Sequence, residues 1–362
     1  MGDLPEIQRR GSRAVPVGDV VVGGDAPVRV QSMTSTPTAD AVATLAQVRA
    51  LAEAGADLVR VAVPTRDDTA ALAEIVGSSP VPIIADVHFH FDRALEAIDA
   101  GAAKIRLNPG NMRDREQVRR VIDAAADAGV AIRVGVNEGS VVDRRDPAAR
   151  DADRARPLVE LMVAKLAEYL ATFEEAGFER LVLSAKSHDA LTCIAVNRRI
   201  AERWDWPLHL GVTHAGPRPT AALRSAAAMG ALLAEGIGET IRLSYAGDPV
   251  AEVRDGVELL ASLRLRRRPG VELIACPTCG RLQMDIGPVV EALREALAEV
   301  RKPLTVAVMG CVVNGPGEAE NADVAVCCGK GKAMLYRRGE KVRTLGIDEI
   351  VDAVMAEVAG SQ

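Results

Sequence analysis

Eight short β-branched runs, each followed by an amphipathic stretch, recur between about residues 27 and 263, and this alternation limits the fold more than any other feature of the chain. The predicted strands are 28–33, 58–63, 83–87, 104–107, 131–136, 181–184, 208–212 and 240–243. Helical spacing of Ala and Leu fills the intervals, for example 39–54, 93–100, 157–176 and 249–263. Eight βα units in roughly 240 residues are the count and size of a (β/α)8 barrel. A doubly wound sheet would need fewer repeats and no closure. The expected class is therefore α/β, a TIM-type barrel over residues 1–263. With 48% hydrophobic and only 2% aromatic residues, its core must be built from Ala, Val, Leu and Ile.

Polar residues gather where the predicted strands run out. They are Gln31, Ser32 and Thr34, then Arg60, Asp86 and His88, Arg106 and Asn108, Asn137, Lys186, His214, and Arg242 with Ser244. Active sites of barrels lie at this C-terminal face. Arg60, Arg106, Lys186 and Arg242 bring four cations to one mouth, and Asn108, Asn137 and Ser244 add neutral donors. Guanidinium forks match phosphate oxygens, and several cations together suit a ligand with more than one negative charge, such as a diphosphate. The alternative is that these cations pair with Asp and Glu across the barrel. All five histidines fall in this half, and His88-Phe89-His90 places two rings on one side of a strand end. With Asp86, His188 and His214 they offer a second possibility, a metal site of the kind barrel hydrolases use.

Residues 264–270, with the basic run Arg264-Leu265-Arg266-Arg267-Arg268, read as a linker to a small α/β domain at 271–362. Its predicted strands are 271–275, 304–309, 324–327 and 333–336, and its helices 288–299 and 347–358. Cys276-Pro277-Thr278-Cys279 sets two thiols on a tight turn, and Cys311 follows 304–309 directly, ahead of Asn314 and Glu318. No histidine lies after His214, so a zinc site with four soft or imidazole ligands is disfavoured. Three thiolates with a weaker oxygen ligand suit an iron–sulfur cluster. A plain CxxC turn with a buried odd cysteine is the bland alternative. Cys327 and Cys328 are adjacent and strand-borne, so they read as structural, and Cys193 as a small core residue.

The totals exclude several classes. A net charge of -6 argues against nucleic acid as partner. The opening MGDLPEIQRRG has no apolar core, and no apolar run reaches membrane-spanning length, so no membrane is expected. Six cysteines are too sparse for a disulfide scaffold, which points to a reducing, cytoplasmic compartment.

The motifs VQSMTSTPTAD (30–40), ADVHFHF (85–91), IRLNPGN (105–111), RVGVNEGS (133–140), EGIGETIRLS (235–244), ACPTCGR (275–281) and MGCVVNGPGEA (309–319) resemble, nearly end to end, the 4-hydroxy-3-methylbut-2-enyl diphosphate synthase (GcpE) family. The resemblance implies a barrel followed by a cluster domain. It implies a [4Fe-4S] cluster on Cys276, Cys279, Cys311 and Glu318. The substrate would be 2-C-methyl-D-erythritol 2,4-cyclodiphosphate, opened and dehydrated reductively in the methylerythritol phosphate route to isoprenoids. Its diphosphate contacts would be Arg60, His88, Arg106, Asn108, Asn137, Lys186, Arg242 and Ser244. Asn314 and residue 214 would stand near the chemistry. Flavodoxin or ferredoxin would supply electrons to a head-to-tail homodimer, in which the cluster domain of one chain closes over the barrel of the other.

One departure bears on mechanism. Where the family reads GVTEAG, this chain has Gly211-Val212-Thr213-His214-Ala215-Gly216, a histidine in place of a proton-carrying glutamate. Ser35, His90, Glu138, Tyr245 and the Cys327–Cys328 pair also depart from the usual residues. The family's own reaction and a paralogue's related reduction of another diphosphate both remain open. So do a metal-dependent barrel hydrolase, a redox-sensing cluster protein and a pterin-binding barrel.

Overall fold

The chain opens with a hairpin, β1 (Val15–Val17) and β2 (Val20–Val22), that lies outside the eightfold repeat. Gly18 turns it at φ 62°, and a Cβ there would press on Pro82 and Ala103 at 3.1 and 3.3 Å. In this computed structural model, residues 6–87, 91–107, 114–142, 147–311 and 315–361 are described. They divide into two units, Met1–Arg266 and Arg267–Gln362.

In the first unit, eight parallel strands follow in turn. They are β3 (Arg29–Met33), β4 (Leu58–Ala62), β5 (Ile83–Asp86), β6 (Lys104–Leu107), β7 (Ala131–Asn137), β8 (Leu181–Lys186), β9 (His209–Leu210) and β10 (Thr240–Ile241). Their order is β8-β7-β6-β5-β4-β3-β10-β9, and a bridge between Leu183 and Leu208 joins the two ends of the sheet. The barrel is the fold the repeat predicts. β9 and β10 are shorter than expected, two residues each. The Leu208 N–H donates to the buried Glu239 carboxylate, and Leu208 bridges to Leu183 just ahead of β9.

Strand periodicity divides the core in two. Val59, Val61 and Ile83 face the helices, whereas Leu58, Ile84, Ala131 and Val182 pack in a separate cluster with Val15, Val17 and Val22 of the hairpin. One end of the barrel interior is thus sealed by valines. The helices that follow the strands start on side-chain caps. Asp40, Asp114, Asp189 and Asp248 each accept a first-turn N–H, and Thr65 forms a capping box with Asp68.

The second unit is a five-stranded sheet in sequential order. β11 (Glu272–Ala275), β12 (Thr305–Met309) and β13 (Val324–Cys328) are parallel; β14 (Ala333–Arg337) and β15 (Glu340–Leu345) continue antiparallel. Helices Gly287–Ala296 and Ile350–Gly360 cover Val306, Val308, Val324 and Val326. Among the described residues no helix is long and apolar enough to cross a membrane.

Candidate active site

The barrel interior above the valine plug is basic. Register sets Asp86, Arg106 and Arg133 side by side on β5, β6 and β7, and Met33 beside Arg60 on β3 and β4. Arg106 lies 3.3 Å and Arg60 3.6 Å from Asp86, so one carboxylate serves two guanidiniums. Arg242, just past β10, lies 3.6 Å from Glu252 of the following helix. The Met33 sulfur accepts from Arg60 Nε and Nη2 at 3.1 and 3.0 Å and from Arg242 Nη1 at 3.6 Å. Lys186 Nζ stands 3.3 Å from His209 Nε2. The sequence-predicted Arg60, Arg106, Lys186 and Arg242 do converge. Lys104, Arg133, His209 and Met33 join them without having been anticipated.

Pairing across the barrel does occur, but it does not balance. Among the described residues, Asp86 serves Arg60, Arg106 and Arg133, and Glu252 serves Arg242 and acts on Lys186, while Lys104 sits beside cations alone. Burial, reinforced by neighbouring cations, pushes Arg133 and Lys186 well below their ordinary values. Burial, only partly offset by Asp86, brings Arg60 down to about 10. Burial raises Glu252, and Arg242 opposes it. Several buried donors also lack a hydrogen-bond partner among the described residues: Gln31 Nε2, Lys104 Nζ, Arg133 Nε and Nη1, and Arg242 Nε. A crowd of desolvated cations with unused donors is unfavourable alone and favourable around a multiply charged anion.

Lys104 makes the electrostatic strain measurable. Fully buried beside Arg133 and Arg60, it is lowered to about 7. Between that value and its ordinary one the unfolded chain holds the extra proton, so stability rises as pH climbs through this window. Below about pH 7 both states are protonated and the whole penalty is present. Lys104→Met should therefore stabilise the anion-free protein below pH 7 by roughly 1–4 kcal/mol and flatten its alkaline gain, read by denaturant unfolding across pH.

Gly211 admits Lys186 to this cluster. A Cβ on Gly211 would fall 2.6 Å from Lys186 Nζ and 2.7 Å from the Arg242 carbonyl oxygen. The lysine tip could move aside, but the backbone could not. Gly211→Ala is expected to destabilise the protein by about 1–3 kcal/mol and to weaken anion binding by turning Lys186 away, measured by thermal unfolding and calorimetry.

The remaining barrel candidates divide. Asn137 ends β7, half-buried, and Ser244 donates its hydroxyl to the Val212 carbonyl at 3.1 Å. His214 is exposed with a left-handed backbone, φ 52°. His88, His90 and Asn108 lie outside the described residues. Glu138 accepts the Ser187 hydroxyl and sits 2.9 Å from His188 Nδ1, an arrangement the sequence did not reveal. With Asp86 held by arginines and His188 by Glu138, the hydrolase site has lost two of its proposed ligands to other partners.

In the second unit, Cys276 directly follows β11 and Cys311 lies two residues beyond β12, at the same end of adjacent parallel strands. The Gly310 N–H donates to the Cys276 sulfur at 3.0 Å, and the Gln283 N–H donates to the Gly310 carbonyl at 3.0 Å. These bonds fasten the CxxC turn to the Cys311 loop. Cys276 and Cys311 are half-buried and Cys279 is exposed. Cys193, Cys327 and Cys328 are buried, and burial pushes Cys327 up to about 12 and Cys328 up to about 11. The two sets separate by chemistry: three accessible loop sulfurs fit a soft metal cluster, and three buried thiols do not. Among the described residues no three Cys, His, Asp or Glu side chains already stand in a metal-holding group. Asn314 and the side chain of Glu318 lie outside what is described.

Comparison with known proteins accounts for both units. The GcpE TIM-barrel domain matches residues 12–257, and the GcpE protein C-terminal domain matches residues 272–360. The chain is 47% identical over 354 residues to the 4-hydroxy-3-methylbut-2-en-1-yl diphosphate synthase (flavodoxin) of Bifidobacterium longum, covering 98% of this chain and 86% of that protein. The proteins of the same name from Salinispora tropica and Aquifex aeolicus are 47% and 45% identical, covering 98% and 97% of this chain and 89% and 97% of their own lengths. With a basic barrel, a cysteine-bearing second domain and relatives that match nearly end to end, the chain belongs to the GcpE family.

Proposed function

We propose that this chain catalyses the reaction for which its relatives are named, forming 4-hydroxy-3-methylbut-2-enyl diphosphate from 2-C-methyl-D-erythritol 2,4-cyclodiphosphate. Two electrons and two protons enter, the ring C–O bond opens, and one water leaves. The observation that carries this reading is the excess of buried cations over carboxylates inside the barrel among the described residues.

In this reading the barrel binds and orients the diphosphate. Arg60, Arg106, Lys186 and Arg242, with Arg133 beside Arg106, offer charge-assisted donors, and His88, Asn108, Asn137 and Ser244 complete the set. Fixing both phosphates restricts the motion of the reacting carbon, a positioning effect. Asp86 and Glu252 keep the arginines aligned while leaving the site net positive. Cys276, Cys279 and Cys311, with Glu318 as a weaker oxygen ligand, would hold a [4Fe-4S] cluster. Such a cluster supplies single electrons and a Lewis-acidic iron. Flavodoxin, which the relatives' names include, is the proposed donor, with ferredoxin an equivalent, and a homodimer the proposed working unit. His214 takes the place of the family's glutamate and carries a proton on its ring nitrogen, with Asn314 as a neighbouring hydrogen-bonding group. The exposure of that histidine also favours a second reading, in which the same chemistry serves a modified diphosphate.

Ligand-linked unfolding tests the binding half of this proposal. A specific ligand at a hundredfold its Kd adds about 2.7 kcal/mol to stability. The cyclodiphosphate should produce such a gain, weakening as salt is added, whereas the absence of any gain would count against the barrel as its site.

A further inference from the structure

The cations of the barrel are not all held in the same way. Arg60 and Arg106 lean on Asp86, and Arg242 on Glu252. Lys186 forms no ion pair with a carboxylate among the described residues; its Nζ meets the imidazole of His209 at 3.3 Å. His209 is fully buried, and the charged groups around it are Lys186, Arg133, Lys104 and Arg60. On its other side Nδ1 lies 3.4 Å from the Thr240 hydroxyl.

We infer that His209 is a positioning residue, a neutral imidazole whose Nε2 accepts a hydrogen bond from the Lys186 ammonium and aims that lysine at the bound diphosphate. With the anion bound, Lys186 is held as the ammonium, which only donates, so Nε2 is then the unprotonated nitrogen and the ring proton sits on Nδ1, toward Thr240 Oγ1. Burial among four cations favours this uncharged form; desolvation lowers the imidazole well below its ordinary value, and the neighbouring charges add to the effect. A carboxylate in the same place would neutralise Lys186, and a hydrocarbon would leave its ammonium without an acceptor. Gly211, two residues along from His209, leaves room for the lysine tip, which a Cβ there would meet at 2.6 Å. The imidazole thus orients a cation without discharging it. This inference rests on the proposed diphosphate site.

Calorimetric titration of the anaerobically prepared full chain with inorganic pyrophosphate tests it, using His209→Gln and His209→Asn. Glutamine can place its amide oxygen near the position of Nε2, whereas asparagine reaches only as far as Nδ1. The Asn variant should bind pyrophosphate more weakly by about tenfold or more, the loss of roughly one hydrogen bond to a charged group. The Gln variant should recover most of that loss. With the cyclodiphosphate, the Asn variant should raise KM more than it lowers kcat. In a Lys186→Met background both His209 variants should have little further effect. Equal weakening by Gln and Asn, or an undiminished effect without Lys186, would overturn the positioning role. On the native protein saturated with pyrophosphate, long-range proton–nitrogen spectra should show His209 protonated at Nδ1 alone, and protonation at Nε2 would overturn the role without any variant. If the native chain binds neither pyrophosphate nor the cyclodiphosphate, the diphosphate site itself fails, an outcome distinct from loss of the lysine–histidine contact.

Discussion

Cys311→Ser is expected to abolish turnover while leaving anion binding by the barrel intact. Serine keeps the size of the side chain but replaces a soft thiolate ligand with a hydroxyl that holds iron poorly. Cys311 stands in the loop after β12, tied to the CxxC turn through the Gly310 N–H and the Cys276 sulfur. Loss of one ligand from such a set should remove the visible absorption of the cluster and all reductive activity together. Pyrophosphate affinity should stay near the native value, because the cation cluster lies wholly within the other unit. Cys328→Ala provides the contrast. That thiol is buried in the apolar core with Val326 and Leu335, and its removal should cost about 1 kcal/mol of stability and no cluster. Loss of the cluster in Cys328→Ala, with retention in Cys311→Ser, would reverse the assignment.

The second large effect is expected at Arg60. Its charge acts on Lys104, Arg133, Lys186 and His209, and it shares Asp86 with Arg106. Removing one member of a desolvated charge pair with a ligand costs roughly 2–5 kcal/mol, so Arg60→Met should weaken cyclodiphosphate binding by about thirtyfold or more. The anion-free protein should lose little stability and could gain some, since a desolvated cation leaves a crowded cluster while Arg106 still pairs with Asp86. Calorimetric binding and denaturant unfolding on the same sample separate the two effects. Parallel losses of affinity and stability would mean that Arg60 is chiefly a structural ion-pair member.

Much of the barrel was legible because a strand buried on both faces leaves an uninterrupted β-branched run, and eight such runs alternate with stretches of helical spacing. The hairpin at Val15–Val17 and Val20–Val22 was missed, although Gly18-Asp19 between two valine pairs is a hairpin signal. In the second unit, β15 was missed because its EKVRTL sequence is almost wholly exposed and carries little hydrophobic pattern.

Arg60 and Arg106 were found inside their strands, whereas Arg133 and Lys104, nearer the starts of theirs, were overlooked. Arg133 sits four residues before Asn137, on the same face of β7, and Lys104 two before Arg106 on β6. Counting back by twos from the strand ends would have reached both. Met33 and His209 offered no such signal, because a thioether and a neutral imidazole become informative only once the cations they hold are located. The departure at His214 was visible in the sequence, but its exposed, left-handed setting was not.

Anaerobic turnover tests the central claim most directly. The protein is reconstituted with iron and sulfide and given 2-C-methyl-D-erythritol 2,4-cyclodiphosphate and a chemical reductant, with His214→Glu run in parallel. The account predicts 4-hydroxy-3-methylbut-2-enyl diphosphate from the native chain. An intact cluster with no product from the native chain, and product restored by His214→Glu, would contradict it and assign the chain to another diphosphate.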